Sequence, residues 1–393
     1  MATDIFILGG ARTPMAEYNG RLREWSAIAL GALAARAAME RTGVAPDIVD
    51  HVIMGNVLQT SADAVYGARH VGLKAGVPVE VPALTVNRLC GSGVQAAVSG
   101  AQLILLGEAD VVLTGGMESM SQAPHVLRGL RQGLRLGHGE LEDTLWSALL
   151  DTHCGCTMAA TAENCAAAYG VTREEQDAYA VRSQQRAARA WASGAIGEEV
   201  VPVEIRSRKG AELFDRDDHM RPESTVDDLA RLPPAFSRSG CVTAGNASGI
   251  VDGGAALLLA SEAGVRRHGL TPAARLTHWA YVGVDPARMG MGPAPATRRV
   301  LERAQLTLAD VDLIEVNEAF AAQYLSVEKE LGLDRERVNV NGGAIALGHP
   351  LGMTGTRLLL TLTMELRRRG ARRGLATACI GGGQGIAAIV ETV

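Results

Sequence analysis

The sequence predicts an α/β protein whose two similar halves each hold a mostly parallel sheet covered by helices. Three observations support this class. Short apolar runs alternate with helix-like segments along much of the chain, as in β-α-β units. Glycine is abundant, with 46 residues, which suits many tight strand–helix turns, whereas aromatic residues make up only 4%. With 393 residues and 47% hydrophobic content, the chain can bury one large core or two ordinary ones.

Residues 5–116 contain the clearest alternation of strands and helices. The predicted strands are residues 5–8, 49–54, 83–86 and 111–114, and the predicted helices are residues 26–42 and 94–106. The first helix is Ala-rich and amphipathic and ends at Gly43. The second contains mostly small and apolar residues, so we expect it to be buried.

The C-terminal part of the chain repeats this pattern. Residues 39–50 and 301–312 align without a gap, share Glu, Arg, Val and Asp, and lead from a helix through a turn into a strand. Residues 87–116 match residues 341–382 in the same way. This similarity favours an internal duplication, with chance as the alternative because any two β-α-β units are somewhat alike.

The pattern breaks in an insertion between the two halves. Residues 126–138 are rich in Gly and Arg and are predicted to form a loop. One helix is predicted here: Thr172 caps it, Glu175 completes a capping box, and it continues to about Trp191. Such an insertion commonly forms a lid or a substrate-binding surface. The expected boundaries are residues 1–270 for the N-terminal half, about 120–245 for the insertion within it, and 271–393 for the C-terminal half.

Composition and charge exclude several kinds of partner. The formal net charge is −5 and the isoelectric point about 6.0, so nucleic acid is not an expected partner. No apolar run is expected to reach the roughly 18 residues of a spanning helix, so no membrane insertion is expected.

No secretory signal precedes the first strand, so the six cysteines are expected to be free thiols in the cytoplasm, or in the mitochondrial matrix of a eukaryote. Cys154-Gly-Cys156 lacks the spacing of a zinc site, and no metal is expected.

Cys90 and His349 are the first candidates for chemistry. Cys90 is predicted at a helix start, where N–H groups and the helix dipole favour an anion, so we expect a lowered pKa and a nucleophilic thiolate. A small buried cysteine where a helix meets the sheet is the structural alternative. His349 lies between Gly348 and Pro350 in a glycine-dense turn and can act as a base toward a thiol. Its alternative role is to hydrogen-bond a loop.

Cys379 and Asn317 are each predicted at the end of a strand, where active-site groups of open α/β sheets collect. Cys379 can move a proton if its pKa approaches the working pH, or it can be an ordinary buried cysteine. Asn317 and Glu318 can orient water and hold a neighbouring His, or Asn317 can simply cap a helix. Jointly, two thiols and one imidazole suit thioester exchange, in which one Cys holds an acyl group and the other moves a proton at carbon.

Six segments resemble the motif set of the thiolases, in the family's order and across nearly the whole chain. They are Asn87-Arg-Leu-Cys-Gly-Ser-Gly93, Gly115-Gly-Met-Glu-Ser-Met-Ser121, Gly245-Asn-Ala-Ser-Gly-Ile250, Asn317-Glu-Ala-Phe320, Asn341-Gly-Gly-Ala-Ile-Ala-Leu-Gly-His-Pro350 and Cys379-Ile-Gly-Gly-Gly-Gln-Gly385. The resemblance implies two similar α/β/α halves in a five-layered α-β-α-β-α arrangement with an inserted loop domain. It also implies a ping-pong acyltransferase that uses acyl-CoA, acetyl-CoA and CoA as substrates, needs no cofactor, and forms a homodimer or homotetramer.

The resemblance assigns roles to individual residues. Cys90 would take the acyl group as a thioester, His349 would activate Cys90, and Cys379 would protonate the leaving acetyl-CoA carbanion or, in condensation, remove the α-proton. Asn317, through water, and His349 would bind one thioester oxygen. The backbone N–H groups of Cys90 and Gly381 would bind the other. The residues implied in CoA and substrate binding are Arg221, Ser224, Phe236, Ser248, Met289, Phe320 and Met158.

One segment departs from the pattern of acetoacetyl-CoA thiolases. Many of these carry a His-Met pair before Thr-Ala-Glu-Asn, but here Thr157 stands where that His would be. This segment and residues 54–59 and 143–146 are more similar to the mitochondrial-type 3-ketoacyl-CoA thiolases, so we expect a broader range of acyl chains, with acetoacetyl-CoA included. Two alternatives remain: a decarboxylating ketosynthase on the same fold, which would need a second catalytic His, and an inactive thiolase-like lipid-binding protein, which should have lost a reactive residue.

Overall fold

The computed structural model describes residues 4–207 and 210–393. The strands are β1 (Ile5–Arg12), β2 (Ala16–Glu17), β3 (His51–Gly55), β4 (Ala83–Val86), β5 (Val111–Glu118), β6 (His125–Leu127), β7 (Leu141–Asp143), β8 (Leu150–Asp151), β9 (Cys156–Thr157), β10 (Val203–Ser207), β11 (Gly210–Phe214), β12 (Val251–Ser261), β13 (Ala274–Gly283), β14 (Leu313–Val316), β15 (Arg373–Ile380) and β16 (Gln384–Thr392). The helices are α1 (Ala27–Thr42), α2 (Gly67–Ala75), α3 (Ser92–Leu106), α4 (Thr144–Ala148), α5 (Met158–Tyr169), α6 (Arg173–Ala192), α7 (Val226–Ala230), α8 (Glu262–His268), α9 (Pro293–Ala304), α10 (Ala321–Leu331), α11 (Ala344–Leu347) and α12 (Leu351–Arg369). Short 3-10 helices occupy Pro46–Ile48, Ala64–Tyr66, Met120–Gln122, Leu130–Gln132, Gly197–Glu199, Pro286–Met291 and Leu308–Asp310.

The main sheet consists of two strand sets with the same order and directions. The first set runs β4-β3-β5-β12-β1. The second runs β14-β15-β16-β13 and is extended beside β14 by a parallel bridge between Ile314 and Val338. A short antiparallel pairing of β1 with β13 joins the two sets. A repeated strand order is what the predicted internal duplication requires.

The expectation of a mostly parallel sheet is wrong. Parallel pairs link β3 to β4, β3 to β5, and β14 to β15, whereas β12 and β16 each pair antiparallel with both of their neighbours. The reason lies in the connections. The short turn of residues 381–383 reverses the chain between β15 and β16, and the long insertion returns it antiparallel between β5 and β12.

Helices cover the two strand sets in five layers, as the resemblance implies. Helices α1 and α2 pack on the outer face of the first set, and α9 and α10 lie on the outer side of the second. Helices α3 and α12 lie between the sets and pack against each other. One continuous apolar core fills this middle layer, with contributions from Ile53 of the first set, Val98 and Leu358 of the helices, and Ile386 of the second set.

The starts of α3 and α12 approach one another backbone to backbone. A Cβ added at Gly93 would lie 2.3 Å from the backbone nitrogen of Thr356, and one added at Gly355 would lie 2.3 Å from that of Val94. Real Cβ atoms do not come so close to backbone atoms, so this crossing requires glycine on both helices. The crossing brings together the two helix starts that follow Cys90 and His349 in sequence.

Helix α3 also corrects one expectation about apolar runs. Residues 89–106 form an 18-residue stretch with a mean hydropathy of 1.5, so they are long and apolar enough to cross a membrane by length and composition. Most of these residues are buried inside the protein, where α3 packs between the two strand sets. This placement matches a core helix of the middle layer.

Local signals correctly predict the helix ends. The Ser26 side chain accepts from the N–H of Ala29, and Gly43, with a φ of 67°, ends α1. Thr172 and Glu175 form the predicted capping box of α6. The predicted loop at residues 126–138 begins in β6, which pairs with β7, so most of it connects the two strands of a short hairpin.

Candidate active site

Cys90 lies in the turn between β4 and α3. It directly precedes Gly91, the N-cap of α3. Leu89 has a φ of 45°, an uncommon left-handed conformation for a non-glycine residue, which indicates a constrained turn at this point. Cys90 is 8% exposed and packs in an apolar cluster. The other buried members of this cluster are Leu58, Met120, Leu145 and Leu351.

The ionisation of Cys90 differs from the expectation based on its helix start. Burial raises the pKa of the Cys90 thiol to about 11. The backbone N–H groups of Gly381 and of Cys90 itself approach the sulfur and lower the pKa by less, while the charge of Glu118 raises it further. The expected lowering is therefore wrong for the free protein, because apolar side chains shield the sulfur from water. The Cys90 thiol is therefore mostly protonated at neutral pH, and a base would have to remove its proton before it could act as a nucleophile.

His349 is held by hydrogen bonds at both ring nitrogens. Its Nδ1 lies 2.6 Å from Thr354 Oγ1, and the Thr354 hydroxyl donates to the Pro350 carbonyl at 3.0 Å. Because that hydroxyl hydrogen is already used, Thr354 Oγ1 accepts the Nδ1–H of His349. Nε2 then carries the lone pair of the neutral ring and lies 3.3 Å from Asn317 Nδ2. Burial lowers the pKa of His349 to about 3, with a further contribution from Arg357, so the ring is a neutral base.

Asn317 and Glu318 follow β14 but face different partners. Asn317 is fully buried, and its Oδ1 has no hydrogen-bond donor among the residues that the structure describes. The Glu318 carboxylate turns toward the insertion and the loop before α11. Its donors are Tyr179, Ser183, Asn339 and Ile345. The idea that a carboxylate after β14 holds His349 is therefore wrong, since Thr354 and Asn317 make those contacts.

Cys379 and Gly381 lie at the end of β15 and in the tight turn that follows it. Cys379 is fully buried and packs against Met289 and Phe320. Burial raises the pKa of Cys379 well above its ordinary value, and the nearby Cys90 adds to this effect. The turn needs glycine, because Gly383 has a φ of 79° and a Cβ there would lie 2.4 Å from the Val284 carbonyl oxygen. Gly381 begins this turn, and its N–H approaches the Cys90 sulfur.

A cavity of about 610 Å³ lies beside Cys90, His349 and Cys379. His349 lines it directly. Cys90 contacts the cavity wall through its cluster with Met120, Leu145 and Leu351, and Cys379 does so through Met158 and Phe320. The lining residues are Glu17, Tyr18, Met120, Asp143, Leu145, Trp146, Leu149, Thr157, Met158, Ala159, His219, Phe236, Ala244, Ala247, Ser248, Gly249, Ile250, Phe320, His349 and Leu351. Most of them come from the insertion, as expected for a substrate-binding surface.

The residues predicted to bind CoA and substrate lie in different places. Met158, Phe236, Ser248 and Phe320 line the cavity, and Phe236 is 49% exposed near the solvent. Met289 does not line it, because it is buried against Cys379.

Arg221 and Ser224 do not line the cavity, but Arg221 contacts residues that do. The Arg221 side chain is more than half exposed and pairs with the carboxylate of Glu17, which lines the cavity. Its Nη1 also donates to the carbonyl oxygens of Asp218, His219 and Met220 at 2.9 to 3.0 Å. The backbone N–H of Ser224 donates to the carbonyl of Arg221. The guanidinium is thus held beside the cavity while more than half of the side chain faces solvent.

Sequence reasoning missed Thr354 and the wall contributed by α4. Thr354 lies four residues after Pro350, a spacing at which a helical threonine commonly bonds back to the preceding turn, and this was the available signal. Leu145 and Leu149 follow the capping residue Asp143 with the i, i+4 spacing of one helix face. That pattern indicates a short helix, but not which surface it covers.

The fold and the site together define a class of protein: a duplicated, five-layered α/β protein with two buried thiols and a neutral imidazole at one cavity. The family description "Thiolase, N-terminal domain" matches residues 5–263, and "Thiolase, C-terminal domain" matches residues 270–392. The chain therefore belongs to the thiolase family.

Individual relatives are similar over their whole length. The chain is 52% identical to the mitochondrial 3-ketoacyl-CoA thiolase of Homo sapiens over 99% of its own length and 98% of the relative's. It is 49% identical to the acetyl-CoA acetyltransferase of Cupriavidus necator, with 99% of each chain covered. The crystal structure of the human mitochondrial thiolase matches with a TM-score of 0.98, 51% identity and complete coverage of both chains. The acetyl-CoA acetyltransferase of Bacillus anthracis matches with a TM-score of 0.97 and 45% identity, over 100% of this chain and 99% of that one.

Proposed function

We propose that the protein is an acetyl-CoA C-acyltransferase that converts a 3-ketoacyl-CoA and CoA into an acyl-CoA and acetyl-CoA, reversibly and through an acyl-Cys90 thioester. The observation that carries this proposal is the convergence of Cys90, His349 and Cys379 at one cavity. Acyl transfer to sulfur needs a nucleophile and a base, and carbon–carbon cleavage needs a second proton carrier because a carbanion forms.

The first half-reaction uses all three side chains. Cys90 Sγ attacks the 3-keto carbon while its proton passes to His349 Nε2. The C2–C3 bond then breaks, its electron pair stays on C2, and the acyl group remains on Cys90 as a thioester. Cys379 gives its proton to C2, which releases acetyl-CoA and leaves the Cys379 thiolate.

The second half-reaction restores the starting protonation. The incoming CoA thiol gives its proton to the Cys379 thiolate, and the CoA sulfur attacks the acyl carbonyl. Cys90 leaves as a thiolate and recovers its proton from His349. Burial favours this resting state, because it raises the pKa of both thiols and lowers that of the imidazole. Condensation is the same sequence in reverse.

Two sets of hydrogen-bond donors are available for the thioester oxygens. The N–H groups of Cys90 and Gly381 both approach the Cys90 sulfur and would donate to the oxygen that becomes negative when this sulfur is attached. Asn317, through a water, and His349, once its Nε2 carries the proton taken from Cys90, form the second group. The unpartnered Oδ1 of Asn317 supports a role in holding water beside His349, since a buried acceptor without a donor is uncommon.

We propose that CoA enters along the insertion. Phe236, Ser248, Phe320 and Met158 line the cavity and would contact the pantetheine and the reacting end. Arg221, which pairs with the cavity residue Glu17, and Ser224, which is bonded to Arg221, would meet the nucleotide phosphates, for which an exposed guanidinium is well suited. Met289 would not contact CoA; it would support Cys379, against which it packs. A solved relative, the human mitochondrial 3-ketoacyl-CoA thiolase in complex with CoA, matches with a TM-score of 0.97.

A range of acyl chains, with acetoacetyl-CoA included, is the proposed substrate class. The cavity wall beside Cys90 is apolar and consists of Met120, Leu145, Leu149 and Leu351. Thr157 lines the cavity where many acetoacetyl-CoA thiolases carry a His. An apolar wall next to the nucleophile favours an alkyl chain on the thioester.

The domain division, oligomeric state and location are further proposals. The repeated strand order supports halves at residues 1–270, with the insertion at about 120–245, and 271–393. A homodimer or homotetramer is supported by apolar exposure along the edge strand β4 and the adjoining α3, where Leu84 is 47% and Leu106 72% exposed. Six unpaired cysteines support a reducing compartment, either the cytoplasm or the mitochondrial matrix.

A substrate panel tests the proposed function. The purified protein is incubated with CoA and 3-ketoacyl-CoA substrates from C4 to C16, and kcat/KM for acetyl-CoA formation is compared across chain lengths. We expect turnover at several lengths. Cys90→Ser should abolish it, whereas Cys165→Ala, which alters another fully buried cysteine, should retain it. No acetyl-CoA from any substrate would refute the function, and turnover at C4 alone would refute the broader chain range.

A further inference from the structure

Glu118 is a buried acid for which the reaction proposed above has no role. It is the last residue of β5, within the segment Gly115-Gly-Met-Glu-Ser-Met-Ser121, and is fully buried. Among the described residues, no Lys or Arg forms an ion pair with it. A carboxylate buried without a cation must be stabilised by hydrogen bonds.

Four N–H donors surround the Glu118 carboxylate. Oε2 accepts from the backbone N–H of Val57 at 3.1 Å and from that of Gly352 at 2.8 Å. Oε1 accepts from the backbone N–H of Leu58 at 3.0 Å and from Asn56 Nδ2 at 2.9 Å. Each oxygen therefore has two donors.

These donors belong to two segments: one packs beside Cys90, and the other contains the residue that bonds His349. Leu58, in the loop after β3, packs in the same apolar cluster as Cys90. Gly352 lies in the first turn of α12, two residues before Thr354, which accepts the Nδ1–H of His349. One carboxylate thus bonds both the loop beside the nucleophile and the helix that orients the base.

The same segments also approach one another closely through their backbones. A Cβ at Gly116 would lie 2.0 Å from the Gly352 carbonyl oxygen, and one at Gly55 would lie 2.9 Å from the same oxygen. Strands β3 and β5 therefore approach the start of α12 backbone to backbone. At this close contact, the hydrogen bond from the Gly352 N–H to Glu118 ties the first turn of α12 to β5.

We propose that Glu118 is a positioning residue for acyl transfer, which sets the place of His349 relative to Cys90 by bonding the first turn of α12 to the loop after β3. The proposal rests on the proposed function. Glu118 acts through Thr354 and Leu58 and does not touch the substrate. Small displacements of a base from its reacting partner reduce turnover strongly, while binding of the remote parts of a substrate is unaffected.

Glu118→Gln tests this role with almost no change in volume. The amide nitrogen replaces one oxygen and faces two N–H donors, so two of the four hydrogen bonds are lost. We expect kcat for thiolysis to fall at least about tenfold and KM for CoA to stay within about twofold. Glu118→Asp keeps the carboxylate but is shorter, so its kcat should lie between those of Glu118→Gln and the wild type.

Glu199→Gln is the matched control. Glu199 is also buried and accepts from Arg12 Nε at 2.9 Å, but it does not line the cavity. The Glu199→Gln variant should have a lower melting temperature, but its kcat should be unchanged at a temperature where the protein is folded. A wild-type kcat in Glu118→Gln, or an equal loss of kcat in Glu199→Gln, would overturn the positioning role. If the Glu118→Gln variant does not fold, the Glu118→Asp variant provides the test. A wild-type kcat in Glu118→Asp would then overturn the positioning role. A wild-type protein that forms no acetyl-CoA refutes the proposed function instead.

Discussion

His349 Nδ1 lies 2.6 Å from Thr354 Oγ1, and this contact determines which nitrogen of the ring can accept a proton. The Thr354 hydroxyl donates to the Pro350 carbonyl, so Thr354 can only accept from His349. The ring hydrogen is therefore on Nδ1 and the lone pair on Nε2. A threonine in the first turn of α12 thus fulfils the orienting role that a carboxylate fulfils in many other catalytic sites.

Replacing Thr354 with Val should slow catalysis without weakening CoA binding. The variant keeps the shape of the side chain but leaves the Nδ1–H of His349 without an acceptor, so the ring can rotate or change tautomer. We expect kcat to fall on the order of 10- to 100-fold, less than the full contribution of about 10²- to 10⁴-fold that a positioned general base makes, because the imidazole itself is retained. Steady-state kinetics with a 3-ketoacyl-CoA, with KM for CoA measured in the same series, provides the check.

Two variants on the same helix serve as controls for this prediction. Thr354→Ser retains the hydroxyl and should recover most of kcat. Thr363→Val removes a buried hydroxyl that has no partner among the described residues, so its kcat should match the wild type. Equal losses in Thr354→Val and Thr354→Ser would mean that packing, and not the hydrogen bond, explains the effect.

The reactivity of Cys90 toward iodoacetamide should increase with pH over the whole alkaline range. Burial raises the pKa of the Cys90 thiol to about 11, so the thiolate is a minor species at neutral pH. Since only the thiolate reacts, the alkylation rate should rise about tenfold per pH unit until the pH approaches this pKa. Peptide mass mapping at each pH separates Cys90 from the partly exposed Cys154, and a short acyl-CoA should protect Cys90. A rate that is already constant between pH 6 and 8 would contradict the raised pKa.

The elements that carry the site could be predicted because their signals are local. Ser26 and Gly43 delimit α1 through contacts within a few residues, and Thr172 caps α6 in the same way. The glycines around Cys90 and His349 mark turns that only a flexible backbone can make. Such signals can be identified in the sequence even when the tertiary structure is unknown.

The parts that could not be predicted depend on contacts between distant segments. β12 pairs with β5 across the whole insertion, so nothing near either strand indicates their antiparallel direction. The helix start after Cys90 predicts a lowered pKa, but burial raises the pKa of this thiol to about 11. The burial comes from side chains such as Met120, Leu145 and Leu351, which tertiary folding brings into one cluster with Cys90. The contacts of Glu318 with α6 are equally distant in sequence.

Cys379→Ala should separate the two kinds of chemistry at the site. A CoA thiolate can leave without a proton donor, so Cys90 of the variant should still take an acyl group from an acyl-CoA. A carbanion at C2 cannot leave without one, so thiolysis of 3-ketoacyl-CoA should fall by on the order of 10²- to 10⁴-fold. Intact mass measurement detects the acyl adduct, and acetyl-CoA release measures thiolysis. Cys165→Ala, at another fully buried cysteine, should leave both reactions near wild type, and normal thiolysis in Cys379→Ala would remove that thiol from the mechanism.

Arg221→Ala should weaken CoA binding and leave the chemical step unchanged. The guanidinium lies beside the cavity, where three backbone carbonyls and Glu17 hold it and more than half of the side chain faces solvent. An exposed ionic contact contributes about 1 kcal/mol, so KM for CoA should rise about 3- to 10-fold and kcat should change little. Arg266→Ala is the control, because Arg266 is also an exposed, ion-paired arginine. It lies on α8, which follows the end of β12 that is farther from His349. An unchanged KM for CoA, or a loss confined to kcat, would show that Arg221 does not contact the nucleotide.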